Sequence, residues 1–112
     1  MLDENTLQEI LSRVSSTAKE IFKDKLEGVI LYGSYARGDF DSESDIDIMI
    51  IADIEADEIS SVSSTIRKLC GELLYEYGIV VSVCIQDSRT YHRFVNTLPF
   101  FMNVAKEGVR VA

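Results

Sequence analysis

The segment Leu31–Ile50, LYGSYARGDFDSESDIDIMI, places two aspartates in front of a run of large apolar residues. Asp45 and Asp47 are separated by one isoleucine, so on a β-strand both side chains emerge on the same face, with Cα atoms about 7 Å apart. A carboxylate at the start of a buried strand must be solvated, paired or bound to a cation, because an isolated buried charge is costly. The segment therefore predicts a strand that presents two carboxylates together at one end.

Two converging carboxylates suit Mg²⁺, which accepts one or two carboxylates, keeps waters and completes its shell with phosphate oxygens. A pair of such ions about 4 Å apart can bind the attacking and the leaving oxygen of a displacement at phosphorus. Upstream, Gly33 ends an apolar strand and lacks a Cβ, so a phosphate can approach the backbone closely. Ser34 opens the turn Tyr35–Gly38, whose free N–H groups favour an anion, and Arg37 can add a charge-assisted hydrogen bond. These residue types predict a metal-dependent site for a polyphosphate.

Each of these features also has a simpler structural interpretation. Asp45 could cap the start of a strand, Asp47 could mark an exposed edge, and Gly33-Ser34 could be only a turn. The combination favours a site, because Gly-Ser, ten residues and then Asp-x-Asp arises by chance in only about one of a few hundred chains of this composition.

The composition predicts a small, acidic, folded protein. Of 112 residues 46% are hydrophobic and one is proline, so we expect one core and a single domain spanning residues 1–112. The 19 Asp and Glu outnumber the 11 Lys and Arg, and a net charge of −8 argues against nucleic acid as a partner. Neither a signal peptide nor an apolar run of the ~20 residues that cross a bilayer is visible, so we expect a cytoplasmic protein without a membrane partner. Cys70 and Cys84 match no zinc or redox spacing and are interpreted as buried small hydrophobes.

Hydrophobic periodicity predicts helices that alternate with strands. One helical stripe begins at Leu7 and ends near Lys25, and a second spans Ile59–Tyr77 with Gly78 as its C-terminal cap. Because a strand, a helix of about five turns and another strand make a parallel crossover, the predicted fold class is α/β, with helices packed on a small sheet. The predicted strands are Gly28–Tyr32, Asp45–Ala52, Ile79–Ile85 and an edge strand Val109–Val111, and a short helix is predicted between Pro99 and Gly108.

The spacing of these motifs resembles that of the nucleotidyltransferase superfamily related to DNA polymerase beta. Gly33-Ser34 and Asp45-x-Asp47 stand at the superfamily's separation, and Ala36-Arg37-Gly38 and Ser44 occupy matching places. The chain looks like the minimal nucleotidyltransferase branch, whose members are single small domains of bacteria and archaea. The resemblance is sharp over residues 29–51 and holds in outline from the first helix to Glu107-Gly108. It implies a nucleotidyltransferase fold, α/β (α+β), with a small mixed sheet flanked by helices.

The resemblance also implies an activity. It implies two Mg²⁺ ions held by Asp45 and Asp47, the catalytic residues, and ATP or another NTP as substrate. The nucleotide-binding residues it implies are Gly33, Ser34, Arg37 and Ser44. Family members move a nucleotidyl group from an NTP to a hydroxyl and release pyrophosphate, and several minimal members resemble antitoxins that bind or adenylylate a small helical toxin of the HEPN ribonuclease type. The expected activity is transfer of AMP to a hydroxyl of a protein partner; homo-oligomerisation is left open.

One position departs from the family pattern. Active members commonly carry a third carboxylate on the strand after the long helix, and the corresponding residue here is predicted to be Ser82, which has no charge to offer a metal and is a poor base at neutral pH. Asp87 lies five residues further on the opposite face of the strand, so we do not expect it to substitute. The alternative hypothesis is therefore a catalytically weak or inactive antitoxin that acts by binding its partner; a regulatory NTP sensor is a third.

The remaining polar and aromatic candidates are interpreted without a catalytic role. His92, Arg89 and Arg93 are predicted to lie on a solvated helical turn. The aromatic residues interpreted as core or interface are Tyr75, Tyr77, Phe94, Phe100 and Phe101.

Overall fold

Within residues 2–112, which the computed structural model describes, four strands form one mixed sheet. The strands are β1 (Leu26–Tyr32), β2 (Ile46–Ala52), β3 (Val81–Asp87) and β4 (Val109–Arg110), in the spatial order β3-β2-β1-β4. Strand β1 is antiparallel to both β2 and β4, whereas β2 and β3 are parallel. The structure thus confirms the predicted α/β (α+β) fold, with a small mixed sheet and a parallel crossover.

The helices of the described residues surround this sheet. They are α1 (Glu4–Phe22), α2 (Ser34–Arg37), α3 (Ile59–Tyr77), α4 (Ser88–Phe94) and α5 (Pro99–Glu107). The Asp3 side chain accepts a hydrogen bond from the Thr6 N–H at 2.8 Å and caps α1. Gly78 ends α3 in the left-handed conformation, as the sequence predicted. None of the helices in residues 2–112 has the length and apolar content needed to cross a membrane.

The two faces of the sheet pack against different helices. Alternate residues of β2 point to opposite faces, so Ile48 and Ile50 contact α1 and α3, while Met49 and Ile51 contact α4 and α5. Buried side chains from the helices complete the two cores: Ile10, Val14, Ile66 and Leu73 on the first face, and Tyr91, Phe101 and Val104 on the second. Strand β2 is therefore buried on both faces, which explains why its apolar run does not alternate with polar residues.

The bounds of β1, β2 and β4 differ from the prediction by one or two residues at one end, and two further boundaries differ beside helices. The helical stripe expected to end near Lys25 is an α-helix only to Phe22, followed by a 3₁₀ turn over Lys23–Lys25. Strand β3 begins at Val81 rather than at Ile79 and extends to Asp87, whose side chain then caps α4. Both differences arise at helix ends, where capping rather than hydrophobic periodicity decides the last residue.

The two cysteines are free thiols on opposite faces of the sheet. Cys70 packs against the core under α3, and Cys84 against the core under α4 and α5. Both are half-buried, not fully buried as predicted, and burial raises the pKa of each thiol. A thiol with a raised pKa is less nucleophilic, which agrees with a packing role.

Candidate active site

Three neighbouring strands bring Tyr32, Asp47 and Ser82 side by side. In the antiparallel pair Tyr32 is opposite Asp47, and in the parallel pair Asp47 is opposite Ser82. Asp45 stands one residue before β2, whereas Asp47 lies within β2 on the face covered by α4 and α5. The paired carboxylates therefore lie at the end of the sheet where β1 finishes and β2 begins.

The chain turns sharply at Gly33, which brings the Gly-Ser motif against Asp47. Gly33 has φ 77° and ψ −156°, a backbone conformation that is essentially restricted to glycine. A Cβ at this position would be 2.5 Å from Oδ2 of Asp47. The missing side chain of Gly33 is thus what allows the Asp47 carboxylate to lie against this turn.

The residues after Gly33 form a single helical turn, α2. The N–H groups of Ala36 and Arg37 donate to the Gly33 carbonyl at 3.1 and 3.0 Å. The N–H groups at the start of a helix have no acceptor within it, so those of Ser34 and Tyr35 are available to an anion. The Tyr35 ring is buried and stacks on Phe40 with ring centroids 4.4 Å apart, which fixes this turn on the core.

Arg37 is held by two carboxylates. Its Nε donates to Asp39 at 3.1 Å and its Nη1 donates to Glu107, the last residue of α5, at 3.2 Å. These two partners raise the pKa of Arg37 further, so the guanidinium remains charged. A guanidinium has five N–H donors, so Arg37 can still donate to a phosphate while both pairs remain. The Glu107 contact spans 70 residues of sequence, and the sequence analysis did not identify it.

These residues line one cleft of about 350 Å³. Its sheet wall and its α2 wall are formed by Tyr32, Gly33, Ser34, Arg37 and Asp47, and its third wall is formed by Phe100, Asn103, Val104 and Glu107 of α5. The volume is at the lower end of the range of small-molecule sites. The structure therefore joins four of the six predicted site residues in one cleft and adds a helix that the sequence analysis had not connected to them.

The other two predicted site residues, Ser44 and Asp45, line a separate depression of about 330 Å³. The Ser44 hydroxyl accepts a hydrogen bond from the Asp41 N–H at 3.0 Å, and the Ser44 N–H donates to the Asp41 carbonyl at 3.2 Å. Ser44 therefore closes a turn, and its binding to a nucleotide stays a prediction. Asp45 is exposed beside Ser44. The charge of Asp45 nevertheless contributes, after burial, to the raised pKa of Asp47.

The electrostatics of the cleft disfavour the ionised Asp47. Burial and, second, the charge of Asp45 raise the pKa of Asp47, while Arg37 opposes this rise. Burial and, second, the Asp47 charge raise the pKa of the Tyr32 hydroxyl to about 12. Burial is the larger cause of both pKa shifts, and a bound cation would offset the smaller contribution of the neighbouring carboxylates.

The donor set fits a metal ion that is shared with a substrate. Within residues 2–112 no cluster of three or more His, Cys, Asp or Glu side chains could hold a metal alone. Asp45 and Asp47 offer only hard oxygen donors, and Mg²⁺ commonly binds to one or two carboxylates and takes its other ligands from phosphate and water. The residues present therefore fit Mg²⁺ together with a polyphosphate.

Asp47→Asn is expected to raise the stability of the ligand-free protein at about pH 7. A carboxyl whose pKa is higher in the folded than in the unfolded state stabilises the fold only while it is protonated, and this stabilisation is lost as pH rises through the folded-state pKa. Asp47 is partly exposed, so solvent screening limits the gain to less than about 1 kcal/mol, or a few degrees in Tm.

Thermal unfolding at about pH 7 and at about pH 3.5 measures this effect, with Asp53→Asn as the control for an exposed carboxylate just after β2. The difference between Asp47→Asn and wild type should shrink at the lower pH. A variant that is less stable than wild type at pH 7 would contradict the expected repulsion.

The β3 residue beside Asp47 is Ser82, which carries no charge. Ser82 is exposed and adjacent to Asp47. Asp87 lies at the other end of β3, opposite Ala52, and its carboxylate accepts a hydrogen bond from the Thr90 N–H at 2.9 Å as the cap of α4. Asp87 is therefore committed to a helix cap far from the carboxylate pair.

The remaining sequence candidates lie outside the cleft. His92 contacts Glu27 of β1, and Arg89 is highly exposed and pairs with Glu55 at 3.5 Å, which agrees with a surface position for both. Phe101 is buried in the core, as predicted. Tyr75, which is 93% exposed, and Phe100, which is exposed at the cleft, are not core residues, and an interface role for them stays a prediction.

The nucleotidyltransferase domain family model matches residues 11–100. This match covers more than half of the chain. The chain therefore belongs to the nucleotidyltransferase domain family.

Two curated relatives extend this result over nearly the whole chain. Both are from Methanocaldococcus jannaschii. "Putative protein adenylyltransferase MJ0604" is 32% identical over 108 residues, which cover 96% of each chain. "Putative protein adenylyltransferase MJ0141" is 35% identical over 103 residues, which cover 92% of this chain and 96% of the relative.

Solved structures share the fold. A nucleotidyltransferase crystal structure from Sulfolobus solfataricus superposes with a TM-score of 0.55 at 23% identity, covering 95% of this chain and 76% of the other. A mutant of the toxin–antitoxin pair MntA–HpeT gives a TM-score of 0.53 at 19% identity, covering 91% of this chain and 72% of the other. A toxin–antitoxin structure with AMP-PNP gives 0.51 at 22% identity, covering 99% and 73%. At these identities the superpositions establish the fold.

Proposed function

We propose that this protein is a Mg²⁺-dependent nucleotidyltransferase that moves AMP from ATP to a hydroxyl of a protein partner. One observation carries the proposal: the Gly33-Ser34 turn and the Asp47 carboxylate form adjoining walls of one open cleft. A phosphate that lies against the turn is then beside the carboxylate that would hold its cation. Family membership over residues 11–100 supports the same activity.

Each residue of the cleft has a role in this proposal. Asp45 and Asp47 hold two Mg²⁺ ions, which when bound neutralise the triphosphate and polarise its α-phosphoryl group. The Gly33 backbone and the Ser34 hydroxyl and N–H hold the phosphate chain, and Arg37 donates to it with the N–H groups that its two carboxylate partners leave free. In this proposal residues 1–112 form a single domain that carries one nucleotide site.

The transfer replaces one bond at phosphorus. The oxygen of the acceptor hydroxyl bonds to the α-phosphorus, the bond from this phosphorus to the oxygen that bridges to the β-phosphate breaks, and pyrophosphate leaves with that bonding pair. The hydroxyl proton passes to water or to a basic group of the partner, because Ser82, beside Asp47, is no base at neutral pH.

The partner we propose is a small helical toxin of the HEPN type, with this chain as its antitoxin in the cytoplasm. Two sequence relatives are named as protein adenylyltransferases, and two structures with the same fold are components of toxin–antitoxin complexes. A protein acceptor also suits a small transferase, because binding energy from a large partner can position its hydroxyl for attack.

Label transfer to the purified partner tests the proposal. The two proteins are incubated with Mg²⁺ and with ATP labelled at either the α- or the γ-phosphate. Nucleotidyl transfer incorporates the α-label and releases the γ-label in pyrophosphate. Incorporation of the γ-label would show phosphoryl transfer instead, and incorporation of neither label, with the partner bound, would overturn the proposed activity.

A binding-only antitoxin is the second candidate, and Ser82 is the observation that favours it. Without a third carboxylate beside Asp47, chemistry can be slow or absent while the fold and the partner surface persist. This candidate expects Asp47→Asn to neutralise the toxin in cells as well as wild type does at equal abundance. If cells that produce the toxin survive with the wild-type protein but not with Asp47→Asn, the binding-only candidate is rejected.

Ser82→Asp is expected to increase the rate of transfer by about tenfold or more. It adds a carboxylate on the strand next to Asp47, where it can act as a further metal ligand or as a base, and a positioned base typically contributes about 10²-fold or more. Single-turnover label transfer measures the rate, with the uncharged Ser82→Asn as the control of similar shape. Equal rates for the two variants would show that a charge at this position does not limit the reaction.

A further inference from the structure

The α5 wall of the cleft carries groups that the phosphate site does not use. Phe100 is 47% exposed although it is a large aromatic residue. Its ring contacts Tyr32 edge to face, with centroids 5.6 Å apart and planes at 80°. A second contact, with Phe101 at 5.7 Å between ring centroids, also orients the Phe100 ring, and Phe100 lines the cleft.

Asn103 is exposed one turn further along the same face of α5. Its amide offers donors and an acceptor side by side, which is the pattern that matches the N6 and N7 edge of adenine. Guanine presents two acceptors at the equivalent edge, and these suit Arg or Lys instead. An aromatic face and an adenine-compatible amide thus line the same cleft as the phosphate site.

The two ends of this wall are separated along the helix axis. Glu107 contacts Arg37 at the α2 end, and Phe100 lies seven residues earlier, which is about 10 Å along α5. A nucleotide also has two ends, a charged phosphate chain and a planar base. The charged end of the cleft fits the first, and the aromatic end fits the second.

We propose that α5 forms the base subsite, in which Phe100 stacks on adenine and Asn103 hydrogen-bonds its edge. This inference rests on the proposed function, since it assigns the other end of the same NTP. It gives the site a means to prefer ATP over GTP within this single chain. Base–aromatic stacking needs one accessible ring face, and Phe100 is 47% exposed where it lines the cleft.

Paired binding measurements separate base from phosphate contacts. Calorimetry with Mg·ATP, Mg·GTP and Mg·tripolyphosphate is done on wild type, Phe100→Ala and Asn103→Ala. Phe100→Ala should weaken the binding of ATP about tenfold or more and leave the binding of tripolyphosphate unchanged. Asn103→Ala should reduce the preference for ATP over GTP by about fivefold or more. Phe100→Trp, which keeps an aromatic face, should retain ATP binding.

Met102→Ala is the matched control, because Met102 is also on α5 and is 45% exposed, but it lies outside the cleft lining. It should change none of the three affinities. An equal loss of affinity for ATP and for tripolyphosphate in Phe100→Ala would overturn the base subsite. It would show that Phe100 maintains the shape of the cleft instead. Unchanged ATP affinity with reduced label transfer would also overturn it and place the acceptor at Phe100.

The same data distinguish this inference from the proposed function. If wild type binds tripolyphosphate and transfers label but Phe100→Ala binds ATP normally, only the base subsite is wrong. If wild type binds neither ATP nor tripolyphosphate with Mg²⁺, the proposed function fails, and the base subsite fails with it.

Discussion

Asp47→Asn is expected to reduce nucleotidyl transfer by about 10³-fold or more while the protein stays folded. Asp47 is the carboxylate that the structure holds against the Gly33 turn, and an amide at its place offers one neutral oxygen to a cation instead of a charged pair. Loss of even one fixed electrostatic group at a reacting phosphorus or carbonyl commonly costs about 10²-fold to 10³-fold. Loss of a carboxylate that binds the metal should reduce the rate by at least as much.

Single-turnover transfer of the α-label to the partner, over a range of Mg²⁺ concentrations, measures this loss. Asp53→Asn removes an exposed carboxylate just past the opposite end of β2 and should behave as wild type. The Asp47 variant should also lose the rise in Tm that Mg²⁺ with ATP gives to the wild type. Equal transfer by Asp47→Asn and wild type would show that the assigned site is wrong.

Gly33→Ala is expected to lower transfer by about 10²-fold or more and to destabilise the fold. The backbone at Gly33 has φ 77° and ψ −156°, where any other residue is strained by about 1–3 kcal/mol. The new Cβ would also be 2.5 Å from Oδ2 of Asp47, so the carboxylate must move or rotate away from the turn. A displacement of about 1 Å at a reacting centre is enough for a loss of this size.

The matched control is Gly71→Ala, the same substitution at an open position within α3. No atom lies within 4 Å of a Cβ there, and alanine is the better helix former by about 1 kcal/mol, so this variant should be more stable than wild type and fully active. Chemical denaturation and label transfer measured on both variants test the pair. A stable, active Gly33→Ala protein would contradict the close approach of the turn to Asp47.

The positions of the main helices and strands along the chain could be predicted because they depend on residues that are close in sequence. The stripes of α1 and α3 and the apolar run of β2 are local patterns, and each element forms near its predicted place. The Gly33 turn was predictable for the same reason, because a glycine at a strand end can adopt a backbone conformation that other residues avoid. Asp45 and Asp47 line different depressions, so their common face stays a prediction.

The composition of the cleft could not be predicted in the same way. Arg37 and Glu107 pair across 70 residues, and Phe100 meets Tyr32 only after α5 has packed on the sheet. Such contacts depend on which helix face covers which strand, and many arrangements bury similar apolar area. The core assignment of Phe100 was wrong for this reason, since its place in α5 does not reveal that it lines a cleft.

By itself, therefore, the sequence determined the family and the order of the elements, and it singled out the residues that we propose hold a metal and a phosphate. The tertiary structure decided that Asp47 faces the same cleft as Ser34, that Ser44 belongs to a turn outside it, and that α5 supplies the remaining wall. The physical reason is the range of the interactions. Hydrogen bonds within a turn and side-chain alternation act over a few residues, whereas a cleft exists only where distant segments pack together.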